Sequence, residues 1–309
     1  MTEPLISAIV CTHNREDYLS AAIDSLFEQD FYNYEVIVVD NASSDRTRKI
    51  VEERLSNPRL NYVYEDVIGL CVARNAGAKE ARAPILAYLD DDAVASPQWL
   101  KTLYNAYQNN ERLAIAGGKV NLLWPDCIAS PPWLSSELAA KLGAYDLGDS
   151  LVYITSSSMT PRGLNYSIRK SFMEEVGGFN VKLGRVGKHL LSHEELHMTE
   201  LALQKGWQVA YLPEAVVAHN IAPEQLQRGW FLKRGWCQGM SECYCEQLTK
   251  RAGFAQLSRG SKRLAGAVYQ SIKQFRNPAS CFDNLVYAYS QLGYLSAALK
   301  GMLKQPNQK

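Results

Sequence analysis

Three consecutive carboxylates, Asp90, Asp91 and Asp92, end an apolar run that is typical of a buried strand. Adjacent carboxylates repel one another, so they are tolerated where water solvates them or a cation neutralises them. Side chains two positions apart on an extended segment share a face, so Asp90 and Asp92 can act together. Oxygen ligands of this kind suit Mg²⁺ or Mn²⁺ bound to a nucleotide diphosphate. The alternative is an acidic start to a helix near Pro97, stabilised by the helix dipole.

Further polar side chains follow two other apolar runs of the first half. They are Thr12, His13, Asn14 and Arg15 after the run 5–11, and Asp40 and Asn41 at the end of the run 34–40. In open α/β sheets, ligands bind beyond the carboxyl ends of the strands. We therefore expect these residues to lie near the three carboxylates, although a plain turn also explains the asparagines.

The elements that must position these residues alternate between two periods over the first 120 residues. Short apolar runs predict strands, and apolar residues at helical spacing predict the helices between them. The predicted strands are 5–11, 34–40, 60–65 and 84–90, and the predicted helices are 16–29, 45–55, 69–81 and 97–107. Continuous apolar strands alternating with helices indicate a parallel sheet covered on both faces, so the fold class is α/β.

The second half of the chain has a less regular pattern. We predict a strand at 163–169, a helix at 194–205, and two short strands within 207–219 that are broken at Pro213. Beyond His219, which ends the second of these strands, the pattern is helical to the end of the chain.

Length and composition indicate one large domain with an appendage, since 309 residues of which 47% are apolar can bury a sizeable core. The N-terminus lacks a basic region ahead of a long apolar run, so we expect no secretory signal. Seven cysteines without a C-x-x-C pair favour a reducing compartment. We therefore expect a cytoplasmic protein.

The net charge of +1 conceals an asymmetry between a net +10 in residues 228–309 and a net −9 in residues 1–227. A basic appendage suits a membrane surface or a phosphate-bearing acceptor, and a solvated helical face explains it equally well. An apolar stripe near the C-terminus favours packing on a core, with a membrane-surface helix as the alternative. It comprises Leu285, Tyr289, Leu292, Leu295, Leu299 and Met302. We expect no nucleic-acid binding, because no motif supports it.

Four segments in order are AIVCTHNRE, EVIVVDNASSDRT, GLCVARNAGAKEA and ILAYLDDDA. Together they resemble the inverting nucleotide-sugar glycosyltransferases of family 2, which have the GT-A fold. The segments GLNYSIRKSFMEEVGGFN and SHEELHMTELALQKGW extend the resemblance to about residue 245. It implies a Rossmann-like, mostly parallel sheet covered by helices in residues 1–225, with a nucleotide-binding half (1–120) and an acceptor half (121–225). A helical, basic segment (226–309) follows.

The resemblance also implies roles for single residues. The residues that would bind the nucleotide-sugar are Thr12, Asn14, Arg15, Asp40, Arg74, Asp90 and Asp91, and those that would hold Mn²⁺ or Mg²⁺ are Asp92, Asp90 and His219. Packing or capping is an equal alternative for His219. Counting back from Gly206-Trp207 assigns Glu195 as the catalytic base, where the family usually has Asp. Its neighbour Glu194 stays a rival for that role.

The implied reaction moves a sugar from a nucleotide-sugar, expected to be a UDP-sugar, to a glycan or lipid-linked acceptor. Such an enzyme would serve cell-surface or exopolysaccharide assembly, and its basic C-terminal helices would contact the inner face of a membrane. Two other hypotheses remain. One is an inactive glycan-binding protein of the same fold. The other is a zinc peptidase, because His193-Glu194-x-x-His197 matches H-E-x-x-H.

Overall fold

A computed structural model describes residues 3–125, 131–186, 190–249 and 253–303 of the chain. The strands are β1 (Ile6–Thr12), β2 (Tyr34–Asn41), β3 (Leu60–Glu65), β4 (Ile85–Asp90), β5 (Ala93–Ala95), β6 (Leu113–Leu123), β7 (Val152–Tyr153), β8 (Asn165–Arg169) and β9 (Gln208–Asn220). The α-helices are α1 (Glu16–Phe27), α2 (Thr47–Glu52), α3 (Leu70–Glu80), α4 (Trp99–Gln108), α5 (Ser136–Lys141), α6 (Lys170–Val176), α7 (Glu194–Gln204), α8 (Arg228–Thr249), α9 (Phe254–Lys273) and α10 (Pro278–Leu303).

The chain divides into two compact units. The first comprises Met1–Leu123, Gly143–Lys182 and Glu194–Asn220, and the second comprises Trp124–Leu142, Leu183–His193 and Ile221–Lys309. The second unit thus includes two short stretches from the middle of the chain as well as its C-terminal helices. A domain boundary at residue 225 stays a prediction.

The first unit is built on one sheet with the order β3-β2-β1-β4-β8-β6-β9-β5, and β7 pairs with β9. The first four strands of that order are parallel neighbours, as predicted, whereas β8 runs antiparallel to both β4 and β6. The predicted α/β class and its mostly parallel sheet are therefore confirmed, with antiparallel strands added at one side.

The register of the parallel strands brings the predicted site residues to one edge. Thr12 is the partner of Asp40 across β1 and β2, and Cys11 is the partner of Asp90 across β1 and β4. All eight residues of β2 are buried, because helices cover both faces of a sheet of this kind. Burial of continuous apolar strands fixes which strand ends lie side by side, and the polar residues that follow the strands share one edge of the sheet.

The expectation of two short strands within 207–219 needs correction. Residues 208–220 form the single strand β9 rather than two strands broken at Pro213. The pairing of β9 with β6 is nevertheless irregular there, since the partner of Gly118 is Leu212 and the partner of Val120 is Val217. Proline has no N–H to donate to a ladder, so it is tolerated where the pairing is interrupted.

The second unit contains α8, α9 and α10, and α10 packs on both of the others. Glycines bring α8 and α10 close together: a Cβ added at Gly235 would lie only 2.7 Å from the carbonyl oxygen of Val286. Gly239 and Gly293 likewise face backbone atoms of Ser290 and Trp236 at distances that exclude a side chain. Among the described residues, no helix combines the length and the apolar character that crossing a bilayer requires.

The apolar stripe of α10 faces outward. Its members Leu285, Tyr289, Leu292 and Leu299 are 36–50% exposed, whereas Val286, Tyr294 and Ala297 form the buried face. The expectation that this stripe packs on a core is therefore wrong for these four residues. Periodicity identified an amphipathic helix, but residues between the stripe positions supply the packing face instead.

Candidate active site

The strand-end carboxylates differ in their exposure. Asp90, the last residue of β4, has a side chain that is 30% exposed, whereas Asp91 and Asp92 are buried in the turn before β5. Arg15 faces both buried carboxylates: its guanidinium is paired with Asp92, and its Nε lies 3.7 Å from Oδ1 of Asp91. The structure therefore brings the three predicted acids and Arg15 together.

His219 also contacts this cluster. Strand β5 runs antiparallel to β9 and sets Ala93 opposite His219. The imidazole Nε2 consequently lies 3.2 Å from Oδ1 of Asp92, and the N–H of Asn220 donates a hydrogen bond of 2.9 Å to the carbonyl of Asp92. Neighbouring ligands of an octahedral ion bound at about 2.1 Å are about 3 Å apart, so this spacing suits a shared divalent ion.

Among these adjacent acids, Asp91 has a raised pKa. Burial, followed by the negative charge of Asp92, raises the pKa of Asp91 to about 7, while Arg15 opposes the shift. Near neutral pH this carboxyl group is therefore partly protonated, and the crowded turn carries less than its full negative charge.

Asp40 lies next to Thr12 and is held by its neighbours. The Tyr62 hydroxyl donates a hydrogen bond of 2.8 Å to one carboxylate oxygen, and the N–H of Ser43 donates one of 2.9 Å to the other. Asn14 has a φ of 54° and accepts a hydrogen bond of 2.8 Å from the N–H of Ser44. Asn14 thus joins the loops after β1 and β2, which the turn interpretation predicted.

Asn41 ties the end of β2 to the start of α3. Its side-chain amide donates to the carbonyls of Glu65 (3.2 Å) and Val67 (2.8 Å), and its side-chain oxygen accepts from the N–H of Gly69 (2.8 Å). The helix α3 begins directly after Gly69 and has no side-chain N-cap of its own. The position of this helix, which carries Arg74, is therefore set in part by Asn41.

Arg74 is a buried arginine, with a side chain only 2% exposed, that joins acids from distant parts of the sequence. One terminal nitrogen lies 3.0 Å from Glu195 and 3.3 Å from Glu194, at the start of α7. The other lies 3.8 Å from Asp90. The structure therefore brings the two candidate base residues to the strand-end site through a single guanidinium.

Two aromatic residues contact this arginine, and a glycine leaves the space that its guanidinium occupies. Its guanidinium lies 5.4 Å from the ring centre of Phe179, and the Tyr88 hydroxyl donates a hydrogen bond of 3.1 Å to the carbonyl of Arg74. A Cβ at Gly163 would collide with both the Glu195 carboxylate and the Arg74 guanidinium. Sequence reasoning missed Gly163, whose only signal was a glycine at the first position of a predicted strand.

The two glutamates have opposite pKa shifts. Burial, followed by the charge of Glu195, raises the pKa of Glu194 to about 8, so this side chain is mostly protonated near neutral pH. Burial also acts to raise the pKa of Glu195, but the charge of Arg74 and hydrogen bonds to the carboxylate outweigh it and lower the pKa. Glu195 is therefore the glutamate that is ionised and able to accept a proton.

The H-E-x-x-H match does not have the geometry of a zinc helix. The helix α7 begins at Glu194, and His193 precedes it with a φ of 84°. In a zinc peptidase both histidines lie on one helix, one turn apart. Here Glu194 faces Arg74 instead, so the peptidase hypothesis has no support in this part of the structure.

Solved structures share this architecture. A mannosyltransferase, PcManGT from Pyrobaculum calidifontis, in complex with GDP-Man and Mn²⁺, is similar with a TM-score of 0.63 over 99% of this chain and 89% of its own, at 17% identity. TarS from S. aureus (residues 1–349), in complex with UDP-GlcNAc, is similar with a TM-score of 0.55 over 94% of this chain and 92% of its own, at 15% identity. The fold is therefore of the GT-A class, as predicted.

Sequence comparison gives the family. The profile described as Glycosyl transferase family group 2 matches residues 85–299, more than half of the chain, and that of Glycosyl transferase family 2 matches residues 7–121. The chain belongs to glycosyltransferase family 2 and is a transferase enzyme, so both predictions are confirmed.

Two relatives from Haloferax volcanii match most of the chain. One is a glucosyl-dolichyl phosphate glucuronosyltransferase, 26% identical over 80% of this chain and 79% of its own length. The other is glycosyltransferase AglE, 25% identical over 77% of this chain and 74% of its own length.

Proposed function

We propose that this enzyme is a metal-dependent, inverting glycosyltransferase that moves a sugar from a nucleotide-sugar to an acceptor hydroxyl. One observation carries the proposal: the guanidinium of Arg74 contacts both Glu195 and the strand-end acid Asp90. A proton-accepting carboxylate and the acids suited to a nucleotide diphosphate thus lie on two sides of one fixed cation. This arrangement suits an inverting transfer, in which base and leaving group act on opposite faces of the sugar.

In the proposed reaction, the acceptor oxygen attacks the anomeric carbon while Glu195 takes the hydroxyl proton. The new carbon–oxygen bond forms as the bond to the diphosphate breaks, and the diphosphate leaves with the electron pair. The raised pKa of Glu194 supports Glu195 as the base, because a protonated carboxyl group cannot accept that proton. Glu194 would then complete the packing around Arg74.

A divalent cation fits the residues Asp92, His219 and Asp90. The 3.2 Å spacing of the Asp92 oxygen and the His219 nitrogen supports this, as does the exposure of Asp90 toward a ligand. An imidazole ligand favours Mn²⁺ over Mg²⁺, which prefers oxygen ligands. When bound, such an ion neutralises charge on the leaving diphosphate. The complex of PcManGT with Mn²⁺ is consistent with this proposal.

The nucleotide would be bound at the adjoining strand ends. We assign this role to Thr12, Asn14, Arg15, Asp40, Arg74, Asp90 and Asp91. Asp40 has lone pairs for the base or ribose beyond the two hydrogen bonds it accepts. Arg15 is 33% exposed and can turn from Asp92 to a phosphate. A UDP-sugar is the proposed donor; the two structural neighbours bind GDP-Man and UDP-GlcNAc, so both nucleotides belong in the test.

We further propose a glycan or lipid-linked acceptor, used in cell-surface polysaccharide assembly on the inner face of a membrane. The relative that acts on a dolichyl phosphate supports the lipid-linked alternative. The net +10 of residues 228–309 and the outward apolar stripe of α10 support contact with an anionic membrane surface. These features also support a cytoplasmic, membrane-peripheral location.

A donor panel tests the proposed chemistry. UDP- and GDP-sugars are added to the full chain with Mn²⁺, with Mg²⁺ or with EDTA, and the thermal unfolding temperature is recorded. We expect one donor with a metal to raise that temperature, EDTA to abolish the rise, and Asp92→Asn to weaken donor affinity at least about tenfold. Asp149→Asn, which removes an exposed carboxylate of the same unit, is the matched control. Donor binding that is indifferent to metal and to Asp92→Asn would contradict the proposal.

A further inference from the structure

The helix α9 buries small or polar side chains and exposes several large apolar ones. Its buried positions are occupied by Gln256, Gly260 and Ala267. Large apolar side chains point away from the packing side instead, with exposed fractions of 81% for Phe254, 62% for Tyr269 and 68% for Ile272. A surface helix of a soluble protein normally shows the reverse pattern. This side of α9 is therefore expected to contact a partner rather than water.

The exposed apolar residues lie on one side of the helix. Phe254, Val268, Tyr269 and Ile272 fall at helical spacing, and Phe275 follows directly after the helix with 67% exposure. We call these five residues the outer face of α9. Single exposed apolar residues are ordinary, but four of these five fall within residues 268–275, and such a cluster marks an interaction surface.

Charge identifies the partner. The only acidic residue between 253 and 303 is Asp283, against six lysines and arginines. Arg259 and Arg263 are paired with Glu246 and Glu242 of α8, on the packed side.

The remaining basic residues of this segment lie beside the outer face. Lys262 and Lys273 are exposed and three helical turns apart, so they border the face on the same side, and Arg276 follows Phe275. A protein partner of ordinary composition does not require this excess of positive charge. An apolar stripe bordered by cations matches the boundary between acyl chains and anionic headgroups.

We propose that the outer face of α9 binds an anionic lipid surface, with its apolar side chains in the interface and Lys262, Lys273 and Arg276 at the headgroups. This inference deepens the proposed membrane contact by assigning it to α9, and it does not depend on the proposed chemistry. No helix among the described residues is able to span a bilayer, so α9 would lie in the plane of the surface.

Vesicle flotation with the full chain tests this assignment. We expect binding to phosphatidylcholine vesicles that contain phosphatidylglycerol, and little binding to phosphatidylcholine alone. Ile272→Glu with Phe275→Glu should weaken binding at least about tenfold, because two buried apolar side chains are lost. Lys262→Gln and Lys273→Gln should each weaken it about fivefold. Tyr32→Glu is the matched control, since Tyr32 is an 86% exposed aromatic residue of the first unit.

A fluorescent variant gives a second readout that does not depend on loss of binding. Phe275→Trp retains an aromatic side chain, and when phosphatidylglycerol vesicles are added its emission should shift further to the blue than that of the unmodified chain, which has six tryptophans. Absence of both flotation and this shift, or equal flotation of the Ile272→Glu/Phe275→Glu variant, would overturn the proposal. Self-association of the chain that Ile272→Glu abolishes, with vesicle binding unchanged, would assign the face to a second copy and overturn it as well.

Failure of the lipid proposal is distinguishable from failure of the enzymatic one. The α9 variants should retain the donor-dependent rise in unfolding temperature, because no residue of α9 belongs to the candidate active site. Conversely, an Asp92→Asn variant should float with anionic vesicles as the unmodified chain does.

Discussion

Two pairs of neighbouring carboxylates in the first unit face an arginine each, and the two arginines differ in burial. Arg15, beside Asp91 and Asp92, is 33% exposed, whereas Arg74, beside Glu194 and Glu195, is 2% exposed. A partly exposed guanidinium is able to move aside when another cation arrives. A buried one that is surrounded by aromatic rings is a permanent part of the fold.

The comparison also shows how each pair avoids holding two full negative charges. In each pair, one member has a raised pKa: about 7 for Asp91 and about 8 for Glu194. The other member makes the shorter contact with the arginine. Neighbouring acids are thus split into a proton-holding and a charged residue, a pattern typical of functional sites.

The largest effect that would sharpen this comparison is expected at the glutamates. Glu195→Gln should lower kcat about 1000-fold, because the proton acceptor is lost while the shape of the side chain is retained. Glu194→Gln should lower kcat less than about tenfold, because Glu194 already holds a proton. Steady-state transfer from the donor found in the panel measures both variants, with donor affinity as a control for folding. A larger loss for Glu194→Gln would reverse the two assignments.

The next largest effect separates the two arginines. Arg74→Met should destabilise the chain by about 3 kcal/mol, because it leaves the charged Glu195 carboxylate, which is only 15% exposed, without its cation. Arg15→Met should cost about 1 kcal/mol or less, since the Arg15 guanidinium is 33% exposed and a bound metal ion can replace its charge. Urea unfolding of the full chain, in the presence of EDTA and of Mn²⁺, measures the loss in the free energy of unfolding for both variants. Equal losses in the free energy of unfolding for the two variants would contradict the distinction between a movable Arg15 and a permanent Arg74.

The smallest expected effect concerns pH. Between its ordinary value near 4.5 and its folded value of about 8, Glu194 holds a proton in the folded chain that the unfolded chain has released. Folded protein binds more protons than unfolded protein in this window, so stability falls as the pH rises toward 8. Glu195 is ionised in both states there and contributes no slope.

We therefore expect the unmodified chain to lose about 1–2 kcal/mol more than Glu194→Gln when the pH rises from about 6 to about 8. Urea unfolding at both pH values measures the difference. Asp91, whose pKa is also raised, contributes equally to both proteins and cancels in the comparison. Identical pH dependence of the two proteins would show that Glu194 is charged throughout.

Much of the first unit was predictable from local pattern. Continuous apolar runs predicted the parallel strands and the polar residues at their ends, among them Asp40, Asp90 and Asp92, because the ends of a strand are visible in a short stretch of sequence. The family motifs then indicated which distant glutamates belong to the same site. The fold class, the family and the enzyme class were confirmed on this basis.

The features that could not be predicted from the sequence depend on contacts between distant segments. Gly163 matters because its missing side chain leaves space for Glu195 and Arg74, and no local pattern reports such a gap. The contact of Arg74 with the glutamates spans 120 positions of the chain and was not foreseen from either segment alone. Likewise, helical spacing identified the stripe of α10 but not which of its sides is packed.

The amide of Asn41 has a consequence for protein engineering. It contacts Glu65, Val67 and Gly69, the segment through which the chain passes from β3 into the helix that carries Arg74. A chimera that exchanges only residues 65–69 for those of another transferase would break a tether rooted in a different strand. A working exchange would have to replace residue 41 together with residues 65–69, although the two positions are separated in the sequence.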